Sequence, residues 1–451
     1  MIAPTAALMS SFLAGRAQMG TSLGFHIIFA SLGVGLPVAI AIAHFIALRR
    51  NDAGWLRLAA RLTRALAVLV VVGVISGIVI SVELILIWPQ FAAKAGPVIG
   101  LPFSLETYAF FVEAIFLSLY LFARDRLKPW VHWATMLPVC LGGLASAWIV
   151  VAANAWMNTP VGFRYVHGQF THPNPYRAIF NPAMPAETFH MATSAYLATG
   201  LAIAAVYATA MLRGRNTGHE RRGLALGMAI AAASIVPLLL AGDLAGRTIA
   251  EDQPVKLAAA EALPHTGTHA PFTVLGLADQ NGHTRFGAIH VPDALSLLVG
   301  RTPSTRVIGL DSVPPSLRPP VGLVHSSFDL MILIGVLLPL AIGAYWVSRW
   351  RRPQWLSSRP LLVLYALCGP LAFVAIEAGW TVTEVGRQPW IVYGLVHTRA
   401  ALTTSGLVGL MFLLFSVLYL ILSAVAIAAV RSQLRLRPRR ARTAPLPEAS
   451  R

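Results

Sequence analysis

Charge is what this chain lacks. Only 12% of its 451 residues are Asp, Glu, Lys or Arg, where an ordinary soluble domain carries about a quarter. A soluble globular enzyme of this length is therefore excluded. Cysteine is almost absent too. Cys140 and Cys368 both lie inside apolar stretches, which rules out a disulfide framework, a cysteine zinc site and a Cys-x-x-Cys-His haem attachment. Acidic residues are the scarcer sign, 18 against 35 basic, for a formal net charge of +17. Such an excess on a soluble protein would suggest nucleic acid. Here the basic residues sit between long apolar runs, a pattern that fits the positive-inside asymmetry of a membrane protein and not a nucleic-acid partner. No internal repeat of the kind found in many transporters is visible. What is present is hydrophobic: 56% of residues, with a mean hydropathy of +0.67.

A helix crossing a ~30 Å hydrocarbon core needs ~20 mostly apolar residues. On that length the chain reads as an all-α, polytopic membrane protein of about nine transmembrane helices, near 20–48, 65–88, 102–123, 130–157, 184–212, 223–243, 324–348, 360–384 and 402–430. The first has no basic leader and no small-residue cleavage site, so it is not a cleavable signal peptide. Arginine fills alternate loops: Arg49 to Arg64, Arg124 and Arg126, Arg213 to Arg222, Arg349 to Arg359, and the tail from Arg431. That alternation places the N-terminus outside and the C-terminus in the cytoplasm. The organisation expected is a six-helix part over 1–243, an external segment over 244–323, a three-helix part over 324–430 and a basic cytoplasmic tail over 431–451. The external segment is rich in Gly, Pro, Thr and His. Loops of that length usually work, so it is a candidate substrate-binding region, with a disordered insertion as the alternative.

Ionisable residues inside spans are costly and mark functional sites. Here they are Glu83, Glu106, Glu113, Glu377, Glu384 and Asp329, to which His26 and His190 are added. With the N-terminus outside, His26, His190, Met331 and Glu384 all fall at the outer level. Each is a possible haem-iron or metal ligand, and together they make a set that none makes alone. Glu106 and Glu113 are seven residues apart, about two turns, so they share a helix face. With Asp125 at the inner end of that helix, they read as a proton relay from the cytoplasm, or else as carboxylic acids satisfied by neighbouring helices. An ion-coupled transporter would explain the carboxylates but not the ligand set. A third reading is a non-catalytic haem b membrane anchor that hands electrons to a soluble partner, which an optical spectrum would distinguish.

Several strings then resemble subunit I of the cytochrome bd-type quinol oxidases, over residues 10–425. They are Gly15-Arg16-Ala17-Gln18 leading to His26, Leu105-Glu106, Phe110-Phe111-Val112-Glu113, and Trp156 to Gly162. Further ones are Thr188-Phe189-His190, Gly242-Asp243, Lys256 to Glu261, Phe328 to Met331, and Glu377-Ala378-Gly379-Trp380 through Glu384 to Gly386-Arg387-Gln388-Pro389-Trp390. The resemblance implies that His190 and Met331 hold a low-spin haem b. It implies that His26 and Glu384 serve two high-spin haems, one a haem b and one a haem d or a further haem b. Lys256 and Glu261 fall on quinol-binding positions of the external loop, Glu106 and Glu113 on proton-channel positions, and Arg387 and Trp380 on positions around the haem pair. The expected enzyme is an electrogenic, non-pumping quinol:oxygen oxidoreductase of the bacterial cytoplasmic (inner) membrane. Its expected partners are an obligatory subunit II, a small accessory subunit, quinol, dioxygen and the lipid bilayer. Two departures, the spacing of seven and Asp329 where many members carry Arg, resemble the cyanide-insensitive oxidase branch.

Overall fold

The structure, a computed structural model, describes residues 10–435. Among these residues, nine helices are long and apolar enough to cross a membrane. They are α1 (Ser11–Arg50), α2 (Ala53–Leu86), α3 (Pro89–Phe122), α4 (Met136–Asn158), α5 (Met184–Leu212), α6 (Gly218–Asp252), α7 (Val321–Arg351), α8 (Arg359–Val385) and α9 (Val408–Arg435). Each overlaps one expected span, and most run further. Hydropathy registers only the stretch in hydrocarbon, whereas a helix continues until a cap stops it. Ser10 caps α1 through Leu13 N–H at 3.3 Å. Asp52 caps α2, accepting from Gly54 N–H at 2.6 Å and pairing with Arg222 at 2.9 Å. Thr217 and Glu220 form a capping box on α6. The basic tail falls, from residue 436 on, outside the described residues.

Helices in lipid associate through close packing at small residues. At the α5–α6 crossing, a Cβ added to Gly200 would lie 2.7 Å from the Gly227 carbonyl oxygen, and one on Gly227 would lie 2.4 Å from that of Gly200. Backbone meets backbone there, so no side chain fits. One core takes side chains from both membrane parts, among them Leu36, Ile40, Leu66, Met136, Leu201, Met228, Tyr345 and Tyr365. Leu239, Leu240, Leu340 and Leu413 face outward, as lipid contact requires.

The external segment differs from the expectation in extent and in kind. Because α6 continues to Asp252, the segment runs over 253–320, and Gly242-Asp243 lies inside a helix. It is also folded. A short helix, Pro254–Ala260, precedes paired strands Phe272–Val274 with Ile289–Val291 and Leu277–Ala278 with Thr284–Arg285. Val255, Leu257, Leu263, Leu295, Val307 and Leu310 form its core, which joins Val321 and Val324 of α7 and Val382 of α8. The loop is thus a cap seated on the helix ends. A second small hairpin, Arg164–Val166 with Gln169–Thr171, closes the α4–α5 connection at the same end.

Candidate functional site

A cavity of about 320 Å³ opens beneath this cap, between α1, α2, α3, α4 and α8. The α8 sequence places Glu377, Trp380, Thr381 and Glu384 at helical spacing along one face, and all four line it. From α1 come Gly20, Leu23, Gly24 and Ile27. Gly24 is required for the close approach: a Cβ there would sit 3.0 Å from Oε2 of Glu377. The other oxygen of Glu377, Oε1, is buried without a hydrogen-bond partner.

Glu384 is held from two sides. Its Oε1 accepts from Asn154 Nδ2 at 2.5 Å and its Oε2 from Arg387 Nη2 at 2.5 Å. Arg387, 2% exposed, also donates through Nη1 to Asn158 Oδ1 at 3.2 Å. Lys256 Nζ donates to the same oxygen at 3.2 Å, while Asn158 Nδ2 donates to Glu187 Oε1 at 2.8 Å. The partners fix the amide's orientation, since its oxygen meets two cations and its nitrogen a carboxylate. Two cations and two carboxylates thus share one hub, the pairing that makes burial of charge tolerable. Burial pulls the Lys256 ammonium below its ordinary range, opposed by Glu187, assisted by Arg387 and opposed again by Glu384. Gly386 lets the lysine pass, because a Cβ there would stand 2.7 Å from Lys256 Cγ.

Glu261, the other loop residue singled out from sequence, is 1% exposed. It accepts the Thr273 N–H at 3.2 Å. Burial pushes its carboxyl up to about 8, with the Thr273 bond opposing and Asp329 adding to the rise. Neither Lys256 nor Glu261 reaches the loop surface. Asp329 faces His325, whose Nε2 lies 3.4 Å from Oδ2 and whose Nδ1 donates to the Ala260 carbonyl at 2.7 Å. The departure at position 329 therefore comes with a histidine partner one helical turn away.

His26, His190 and Met331 do not line the cavity that holds Glu384 and Trp380. His26 turns from α1 towards α2, with Nδ1 2.9 Å from Ser76 Oγ. His190, on α5, faces Gly242 of α6, and its Nδ1 is buried with no partner. Met331, on α7, packs its sulfur where a Cβ on Gly379 of α8 would be only 3.0 Å away. Imidazole, thioether and carboxylate donors, one of them an orphaned buried nitrogen, beside glycine clefts between helices, are a donor set that fits haem iron.

Glu106 and Glu113 share the face expected of them, and that face meets α4. Glu106 Oε1 accepts from Ser146 Oγ at 2.8 Å. A Cβ on Gly143 would lie 3.4 Å from Oε2 of Glu113. Towards Asp125 the row changes character, because Leu117 is buried on the same face. Beyond it Tyr120 OH meets His44 Nδ1 at 2.9 Å, and His132 Nε2 donates to the Tyr120 carbonyl at 2.8 Å. Leu117 thus stands on this face between Glu113 and the Tyr120–His44–His132 contacts. Glu83 is fully buried, its Oε1 accepting from Ser22 Oγ at 2.7 Å and from Gln18 Nε2 at 3.1 Å. Sequence reasoning overlooked Asn154, Glu187, His325 and Ser76. Asn158 it quoted only as part of a string.

Residues 14–438 match the family described as cytochrome bd terminal oxidase subunit I. The putative cytochrome bd menaquinol oxidase subunit I of Bacillus subtilis (strain 168) is 36% identical over 439 residues, 95% of this chain and 98% of that protein. The cytochrome bd ubiquinol oxidase subunit 1 of the same bacterium is 29% identical over 434 residues, 93% of this chain and 92% of that protein. Among solved structures, the bd oxidase from Geobacillus thermodenitrificans superposes with a TM-score of 0.91 at 39% identity, covering 95% of this chain and 99% of that one.

Proposed function

The chain belongs to the family of subunit I of the cytochrome bd terminal oxidases, and from that premise we propose which of its residues carry the reaction. It is a multi-pass membrane subunit of a haem-containing quinol:oxygen oxidoreductase. The transporter and haem-anchor readings give way to this one. In the proposed assignment, His190 and Met331 hold a low-spin haem b. His26 and Glu384 serve two high-spin haems, a haem b and a haem d or further haem b. When bound, the haems pass electrons from quinol to dioxygen, which is reduced to water.

The remaining work falls to the chain itself. Quinol is oxidised at the loop on the outer side of the bacterial inner membrane. There Glu261 receives a proton, and Lys256 ties the loop to the charge network. Arg387 and Asn154 orient Glu384, each on its own oxygen, while Trp380 walls the cavity against water. Glu106 and Glu113 hand on protons drawn from the cytoplasm. Subunit II and a small accessory subunit would complete the complex. Charge separation then follows from taking protons on one side and releasing them on the other, without pumping. Asp329 and the seven-residue glutamate spacing support a place in the cyanide-insensitive branch.

The contacts from Lys256 in the loop, through Asn158 and Arg387, to Glu384 support the link between loop and cavity, and the buried, unpartnered Nδ1 of His190 beside Gly242 carries the low-spin assignment. The test is His190→Ala in the purified complex. The expected result is loss of the low-spin haem b bands with insertion intact. An unchanged haem complement would contradict it.

A further inference from the structure

Ser76 is fully buried on α2, facing His26 of α1. Its Oγ lies 2.9 Å from the Gly73 carbonyl oxygen, one turn back. A carbonyl can only accept, so the serine hydrogen is committed there. The same Oγ lies 2.9 Å from His26 Nδ1. With that hydrogen on Gly73, the hydroxyl accepts from the ring, and the tautomer that fits this arrangement carries its proton on Nδ1. A neutral imidazole has one N–H, so Nε2 is left with its lone pair bare.

The helix is shaped for this ring. A Cβ on Gly77 would stand 3.2 Å from Cε1 of His26, and one on Gly73 would stand 3.6 Å from Cβ of Phe29. A Cβ at 77 would require the imidazole to give by a few tenths of an ångström. Among the described residues no charged group is bonded to Nδ1; Glu83, on the same helix, is engaged with Ser22 and Gln18.

We propose that Ser76, seated between Gly73 and Gly77, is the positioning residue of His26. It fixes the tautomer and the ring direction that present Nε2 to haem iron, as partners of the second imidazole nitrogen do at metal sites. A neutral hydroxyl is a weaker acceptor than a carboxylate. It holds the ligand as a neutral imidazole and not in the imidazolate-like form that a carboxylate partner would favour. The inference rests on the reading of His26 as a haem ligand.

The test is resonance Raman of the reduced complex, reading the iron–histidine stretching band of the high-spin haem, together with haem transfer to excess apomyoglobin. Ser76→Ala should shift the band to lower frequency and speed haem loss ~10-fold, the lower end of what losing such a partner costs in affinity. Ser76→Thr, which keeps the hydroxyl, should restore both. A Ser76→Ala complex with the wild-type band and wild-type haem retention would overturn the proposal. If Ser76→Ala fails to assemble, Ser76→Cys, close in shape and a poor acceptor, carries the same comparison. His26→Ala separates the two levels. If it keeps every high-spin haem, the ligand reading itself fails. If it loses one while Ser76→Ala changes nothing, only the positioning role fails.

Discussion

Replacing Asn158 by alanine removes a fully buried side chain that bonds three charged groups, Lys256, Arg387 and Glu187. A hydrogen bond to a charged group contributes ~1.5–3 kcal/mol. Of the three, only the bond from Lys256 joins the loop to the helix bundle; the other two lie within the bundle. Opening of the loop should therefore become easier by ~1.5–3 kcal/mol, or ~10- to 100-fold in the opening equilibrium. Hydrogen exchange on the purified complex reads this directly, because exchange through local opening follows that equilibrium. The informative amides are Glu261, bonded to the Leu257 carbonyl at 2.9 Å, and Leu263, bonded to that of Ala258 at 2.8 Å. Their protection should fall by that factor, while amides near the Gly200–Gly227 crossing keep theirs. Asn158→Asp, which retains an oxygen facing Lys256 and Arg387, should lose less. Wild-type protection of the loop in Asn158→Ala would refute the idea that this hub fastens the loop.

Two other perturbations separate the two halves of the reaction. Glu113→Gln should slow oxygen reduction ~100-fold, the scale of a lost proton-transfer group, while haem reduction by quinol stays near wild type in stopped flow. Equal slowing of both steps would remove Glu113 from the proton supply. The Glu261 carboxyl sits at about 8, so below that pH the proton-accepting carboxylate is the minor form. The rate of haem reduction by quinol should rise about tenfold per pH unit below pH 8 and level off above it, and Glu261→Gln should abolish the rise. A profile unchanged by that substitution would show that another group takes the proton.

Much of this was legible in the sequence, because lipid leaves few options. Helices must satisfy their own backbone, so nine apolar runs gave nine helices. The seven-residue spacing of Glu106 and Glu113 put both against α4, and helical spacing put Glu384 and Trp380 on one cavity wall. Contacts between distant positions were not legible. Asn158 meets Lys256 98 residues away and Arg387 229 away, and no local pattern marks an asparagine as such a hub. Ser76 and Gly77 looked like ordinary small residues of an apolar helix, since their meaning depends on a ring from α1. The loop hid its fold because its core is made of isolated Val, Leu and Ala between turn residues.

This subunit is proposed to hold an electron-entry haem and an oxygen-reactive haem site. The most direct test is the optical spectrum of the purified complex, reduced with dithionite and then exposed to carbon monoxide. The account predicts low-spin haem b bands that carbon monoxide leaves alone, together with a high-spin signal that it shifts. A spectrum with no haem, or with low-spin haem b only, would contradict it.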